Sequence, residues 1–416
     1  MACKALAASL LAVVVPPAAA APKPATGLRA TRITTTSVTL AWRDRSRHET
    51  RYELRAGSRR VRLARNARTA TVAGLRPDTG YAFRVRACRG GACSSWTRSL
   101  VRITRDARGI RPPVVGGCQV FPAASPWNRD VRADPVDPYS SVYLAASLGG
   151  HRVHLDLGAT ERFYGLPWTL VPPMLAKTTA RITYGTDGAD YSDESDPGPM
   201  PIPLGAPIEG WDGPGNDPSG GDRHVIALQQ GSCRLYELYN AVRTQTGFRV
   251  SSSAVYDLSK TTLRHTGWTS ADAAGLPIFP GLLRYDEAAT GEIRHAIRFT
   301  VARAQRAYVA PARHLGTQQT AACLPYGARL RLKASFPEAP YHGPALAIVR
   351  ALKRYGMIFA DQGSAVYLSG TGDARWEPTI SAINQQYPIG GDHFEVVRLP
   401  SISRDWKPSG PPSGSC

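Results

Sequence analysis

The stretch Leu75–Ala87, LRPDTGYAFRVRA, decides how the first part of this chain is read. A turn signal, Pro-Asp-Thr-Gly, opens a run in which Tyr81, Phe83, Val85 and Ala87 alternate with polar or charged neighbours. In a strand, side chains two apart share a face, so those four point inward and the arginines between them point outward. The same period recurs upstream: Val38, Leu40 and Trp42 share a face of SVTLAW, and Tyr52 and Leu54 share a face of RYELR. Short alternating runs at this spacing, separated by turn residues from Gly27 to Thr104, predict an antiparallel β-sandwich.

Working outward, residues 1–21 read as a secretory signal peptide: Lys4, an apolar stretch from Ala5 to Val15, then small residues suited to cleavage. The stretch is too short to span a bilayer and no later run reaches that length, so membrane insertion is not expected. Export puts the remaining six cysteines in an oxidising setting. Cys88 and Cys93 close a short Arg-Gly-Gly-Ala loop and are expected to pair, while Cys118, Cys233, Cys323 and Cys416 stay unassigned by spacing.

Charge divides the chain. From Pro22 to Gly117 there are 22 Lys/Arg against 5 Asp/Glu, and from Cys118 onward 28 against 27. The first module is strongly basic, and arginine pairs carboxylate, sulfate or phosphate bidentately, so an acidic cell-surface polymer is an expected partner. Its arginines alternate along strands as a solvated face does. With export expected and no phosphate-binding glycine motif present, nucleic acid is not an expected partner.

Trp42, the run Leu75-Arg-Pro-Asp-Thr-Gly-Tyr81 and the closing Cys-Ser-Ser-Trp96 resemble a fibronectin type III domain over residues 24–104. The resemblance implies a β-sandwich, with Tyr81 as the tyrosine whose hydroxyl bonds to nearby backbone. It implies a spacer or adhesive unit and no chemistry of its own. The domain reading is a signal at 1–21, this domain at 22–104, a Pro/Gly-bearing linker at 105–117, a larger domain at 118–400 and a tail at 401–416.

The larger domain is expected to be mainly β, a β-sandwich or jelly roll with one or two helices. Strands are read at Asp222–Leu228, Arg234–Asn240, Glu292–Phe299 and Ala328–Lys333, and Ala345, Ile348, Val349 and Leu352 mark a helix that Gly356 stops. The runs ESDPGPMPIP, GDRHVIAL, CRLYELYNA and GWTSADAAGLPIFPGLLRYDE resemble a family of exported bacterial proteins without an established activity. The chemistry must therefore come from the residues.

On the strands so read, His224, Glu237 and His295 project from apolar faces, with Asp222 and Tyr239 beside them. A buried carboxylate is costly unless it is paired. Glu237 with Asp222 or Asp272 would supply the two acids of a glycoside hydrolase. In a polysaccharide lyase, His224, His295 or Tyr239 would abstract the proton beside a uronate. Trp268 and Trp211 could stack on sugar rings. The alternative is a non-catalytic carbohydrate-binding or adhesion protein. No H-E-x-x-H or H-x-H occurs, so a catalytic metal is not expected and no cofactor is required; no G-x-S-x-G occurs, so a serine hydrolase is not expected.

Between Arg181 and Arg223 lie 41 residues without Lys or Arg, nine of them acidic and sixteen Gly or Pro. This composition predicts a long irregular loop at a pocket rim. Asp190, Asp193 and Asp196 within it are the candidate ligands for calcium, although their spacing is not that of an EF-hand.

Overall fold

The computed structural model describes residues 20–107, 109–158, 165–183, 191–210 and 221–416. The signal reading falls outside these residues but for Ala20 and Ala21. The chain is mainly β, and it divides into two compact units, the first holding Val38–Val72 and Ala82–Leu100 and the second most of Val101–Cys416.

In the first unit Val38, Leu40 and Trp42 are buried on the strand Ser37–Arg43, as are Tyr52 and Leu54 on Arg51–Ala56 and Phe83, Val85 and Ala87 on Gly80–Arg89. Period-two burial sets the register: Leu54 lies opposite Val61 on one neighbour and Val85 on the other. Glu53, on the arginine-bearing face, is held by Arg51 and Arg86. Cys88 is bonded to Cys93.

The second unit contains a six-stranded mixed sheet. Its order is His154–Asp156, Tyr367–Ser369, Ile297–Val301, Met357–Gln362, Arg329–Leu332 and Phe394–Val396. A four-stranded sheet runs Trp168–Val171, Val225–Gln229, Arg234–Tyr239 and Ser252–Asp257. Parallel pairs join Trp168–Val171 to Val225–Gln229 and Ile297–Val301 to Met357–Gln362, alongside antiparallel ones. The four-stranded sheet is covered on both faces. Ile226, Leu228 and Leu235 belong to the main core, while Val225, Ala227, Tyr236 and Leu238 face a smaller core with Met200, Ile202 and Ile208. Double burial explains why these strands read as near-continuous apolar runs. The helix Gly343–Arg354 buries Ala345, Ile348, Val349 and Leu352, and Gly356 follows it at φ 68°, where only glycine is unstrained.

Several boundaries differ from the sequence reading. The strand expected from Asp222 begins at Val225, because Arg223 takes a left-handed backbone (φ 49°) and breaks the extended run before His224. The strand expected from Glu292 begins at Ile297, which leaves His295 in the preceding bend. Within the linker reading, Val114–Val115 pairs with Cys118–Gln119. The tail is fastened: Ser403–Arg404 pairs with Ala307–Tyr308, and Cys416 is bonded to Cys323. The third disulfide is Cys118–Cys233. The described part of the acidic stretch is largely irregular and buries Met200, Ile202, Ala206 and Ile208. Among the described residues no helix is long and apolar enough to cross a membrane.

Candidate active site

A cavity of about 970 Å³ lies in the second unit, and its lining includes Trp168, Glu209, Arg284, Tyr285, Glu287 and Asp373. Trp168 is fixed by its strand and by Phe279, with ring centroids 5.0 Å apart. Tyr285 meets Trp376 edge-on at 5.1 Å and has the Arg375 guanidinium 4.3 Å from its ring centre. Two aromatic side chains therefore sit among carboxylates and guanidinium groups. A concave site with apolar surfaces and a few placed polar groups suits a small or extended organic ligand.

Glu209 enters this lining directly after buried Ile208. Its Oε2 lies 2.5 Å from Nδ1 of His224 and accepts the His224 backbone N–H at 3.2 Å. The other ring nitrogen, Nε2, is 2.9 Å from the Ala271 carbonyl oxygen. An imidazolium can donate at both nitrogens. Burial acts to lower the His224 pKa, but the Glu209 charge and hydrogen bond, with Asp222, together outweigh it and raise the group to about 9. Burial acts to raise Glu209, and His224 overcomes it, so Glu209 is held below the usual carboxylate range. The pair is ionised at neutral pH.

Asp156 ends the strand His154–Asp156, and its carboxyl accepts the N–H of Gly165, a lining residue. Burial and then the Glu209 charge push it up to about 6, against the opposing pull of Arg298. Oδ1 of Asp156 is buried without a partner among the described residues. Gly165 (φ 82°) permits this approach, because a Cβ there would stand 2.7 Å from the Leu157 carbonyl oxygen and 2.8 Å from the Gly372 nitrogen.

Behind these acids lies a buried ionic cluster. Arg298 grips Asp272 bidentately (2.8 and 2.9 Å), reaches Asp361 at 3.1 Å and donates to Ser369 Oγ at 2.5 Å. Burial and the neighbouring Asp272 push Asp361 well above the usual range. Glu237, fully buried, accepts the N–H groups of Ile278 and Phe279 at 2.8–3.0 Å. Burial nevertheless raises its pKa to about 7.

On another part of the lining, Glu287 is bonded to Arg284 at 2.6 Å and lies 3.3 Å from His295 Nε2. The His295 Nδ1 donates to the Ala296 carbonyl at 2.8 Å. Burial opposes ionisation of Glu287, but Arg284 and His295 hold it far below the carboxylate range. Glu292 is paired with Arg294, and Asp286 and Asp373 with Arg375.

The residues singled out in the sequence are thus partly brought together. His224, Asp272 and Glu237 belong to one polar cluster, and none of them lines the cavity; His224 and His295 reach it through Glu209 and Glu287. The carboxylate that lines the cavity is Glu209, whereas Glu237 is spent on the backbone that carries Phe279 and so supports Trp168. Tyr239, half-buried, has its ring 5.7 Å from that of His224. Asp222 adds to the negative field on His224, and its carbonyl accepts the Asn240 N–H. Trp268 packs against His265 and beneath Arg264 and does not line the cavity. Trp211 and Asp190 lie outside the described residues.

Asp196 is bound by Arg264 at 2.6 Å and accepts the Val255 N–H, while Glu194 accepts the Thr269 N–H. Asp193 lies in the same short turn and is exposed. Among the described residues the cluster with metal-ligand geometry is Glu53, Cys88 and Cys93, whose sulfurs form a disulfide. Asp156, Glu287 and Trp168 were not singled out. The available signals were Trp168 after Gly-Leu-Pro and the alternation of Val153, Leu155 and Leu157 around Asp156.

Comparison with known proteins bears on the first module. The Fibronectin type III domain family matches residues 21–102. Residues 21–102 are a fibronectin type III domain. The Tyr81 hydroxyl accepts the Arg76 N–H at 3.0 Å, the bond that the resemblance implied. Among solved structures, the fn3 domain of human contactin 1 is 20% identical, covers 26% of this chain and 100% of its own, with TM-score 0.21. The FN5 domain of Drosophila Lar is 21% identical, covers 21% of this chain and 99% of its own, with TM-score 0.19. The chicken CNTN1 FN1–FN3 structure is 18% identical with TM-score 0.19, and this chain spans 30% of its length and is itself covered over 20%. No curated protein matches the chain. The fibronectin type III domain accounts for about a fifth of the sequence, and the cavity lies in the remainder.

Proposed function

We propose that the chain is an exported two-module protein whose larger unit binds a polysaccharide in the 970 Å³ cavity and hydrolyses a glycosidic bond. Asp156 acts as the acid and Glu209 as the base, with the fibronectin type III domain as spacer or adhesive unit. One observation carries this reading. Two interacting carboxyl groups, Glu209 in the lining of an aromatic-bearing cavity and Asp156 bonded to the lining residue Gly165, are driven in opposite directions, Asp156 up to about 6 and Glu209 down. Divergent pKa values in a pair of acids are how one site holds an acid and a base at the same pH. Asp156 gives its proton to the leaving glycosidic oxygen. Glu209 takes a proton from the water that attacks the anomeric carbon, so one C–O bond breaks and one forms.

Elimination is the less favoured chemistry. His224, held as an imidazolium by Glu209, has no free lone pair with which to abstract a proton. Arg284 and Arg294, which could neutralise a uronate, are committed to Glu287 and Glu292. Export is supported by the fibronectin type III domain and by three disulfides.

A second reading, a non-catalytic carbohydrate-binding protein, is favoured by the fixed ion pairs of the lining. They hold donors and acceptors in place as a hydroxyl-rich ligand requires. A polysaccharide panel separates the two: new reducing ends support hydrolysis, and retention on a polymer without product supports binding alone.

A further inference from the structure

Of the five other buried arginines among the described residues, four meet a carboxylate: Arg264 with Asp196, Arg284 with Glu287, Arg298 with Asp272 and Arg331 with Glu395. Arg329 is different. It is 7% exposed, yet among the described residues its guanidinium donates only to carbonyl oxygens, those of Tyr355 (2.8 Å) and Pro126. The acid near it, Asp134, is paired with Arg129 at 2.7 Å. Burial and then the Arg129 charge pull Arg329 down to about 9, against Asp134. A desolvated cation without a counter-charge is costly, and an anion placed beside it removes that cost.

Arg329 also lines a second cavity of about 580 Å³, whose lining includes Arg129, Asp134, Pro311, Val397 and Arg398. Three guanidinium groups and one carboxylate thus surround a space large enough for a small ligand. Planar guanidinium groups suit the oxygens of sulfate, phosphate or carboxylate. We propose that this cavity is a binding site for an oxyanion, free or carried as an ester or acid group on a sugar, with Arg329 as its buried anchor and Arg398 as its exposed contact. Neither cavity's lining shares a residue with the other, so this site is independent of the hydrolytic reading.

The test is equilibrium dialysis of the full chain with labelled inorganic sulfate, at an ionic strength held constant with chloride. The expected result is saturable binding of one sulfate per chain, weakened at least tenfold by Arg398→Glu. That side chain is exposed, so the variant should keep the wild-type circular dichroism and melting temperature. Arg329→Met should abolish binding if it folds, and Glu209→Gln should leave binding unchanged. Displacement by phosphate alone would support an inorganic or ester ligand, and displacement by glucuronate an acidic sugar. No saturable sulfate binding, or equal binding in Arg398→Glu, overturns the proposal.

Discussion

The imidazole of His224 and the carboxylate of Glu209 share a 2.5 Å contact, and the same glutamate oxygen accepts the His224 backbone N–H. The histidine is 2% and the glutamate 15% exposed, so the pair lies inside the protein with its acid turned to the cavity wall. The pair links the buried ionic cluster to the cavity. It keeps Glu209 ionised, and the Glu209 charge adds to burial in raising Asp156 to about 6.

Stability should register this pair. His224 has a folded pKa of about 9 against an ordinary 6.5. Its contribution is complete below pH 6.5 and is lost as pH rises through 9, and a shift of this size corresponds to roughly 3 kcal/mol. Chemical denaturation between pH 6.5 and 9.5 should show that fall, and Glu209→Gln should remove it.

Asp156 and Glu237 act in a lower window. Their folded pKa values, about 6 and about 7, lie above the unfolded ones, so each favours the folded state less as pH rises through these values. Activity should follow Asp156, falling on the alkaline side of about pH 6, as a required acid does. In Asp156→Asn, kcat should fall at least 10³-fold with substrate retention preserved.

Glu237→Gln should separate support from chemistry. An amide keeps one acceptor for the Ile278 and Phe279 N–H groups and loses the other, at a cost of about 1–3 kcal/mol. Turnover at a permissive temperature should stay within a few-fold of wild type. A loss as large as that of Glu209→Gln would return the catalytic role to Glu237.

Asp272→Ala should be among the most damaging single changes. It strips the bidentate partner from buried Arg298 and leaves Asp361 as the remaining acid, a loss of about 3–5 kcal/mol. Replacing both Asp272 and Arg298 with apolar residues should cost less than Asp272→Ala alone.

Where a rule of local chemistry acted alone, the sequence was informative. Alternation at Phe83, Val85 and Ala87 gave the sandwich, and the 3.6-residue period with Gly356 gave the helix Gly343–Arg354. His224, Glu237 and His295 stood out as polar groups on apolar strand faces; His224 and Glu237 lie in one cluster with Asp272, whereas His295 sits apart beside Glu287. Their partners were not legible. Glu209 precedes His224 by fifteen residues of Gly- and Asp-rich sequence, and Asp156 comes from the six-stranded sheet of Arg298 and Asp361, not from the sheet that carries Glu237. Such contacts depend on strand order and on one left-handed residue, Arg223, that no period signals. The sequence therefore pointed to Glu237, which supports the cavity wall, and not to Glu209, which lines it.

The central claim is that Asp156 and Glu209 form a catalytic pair. Its most direct test is release of reducing ends from a polysaccharide panel by the wild-type chain, Asp156→Asn and Glu209→Gln, each checked for native circular dichroism. The account predicts product from at least one polymer with the wild type, and a loss of at least 10³-fold in both folded variants. Product formed equally well by either variant, or no product from any polymer despite retention on one, would contradict it.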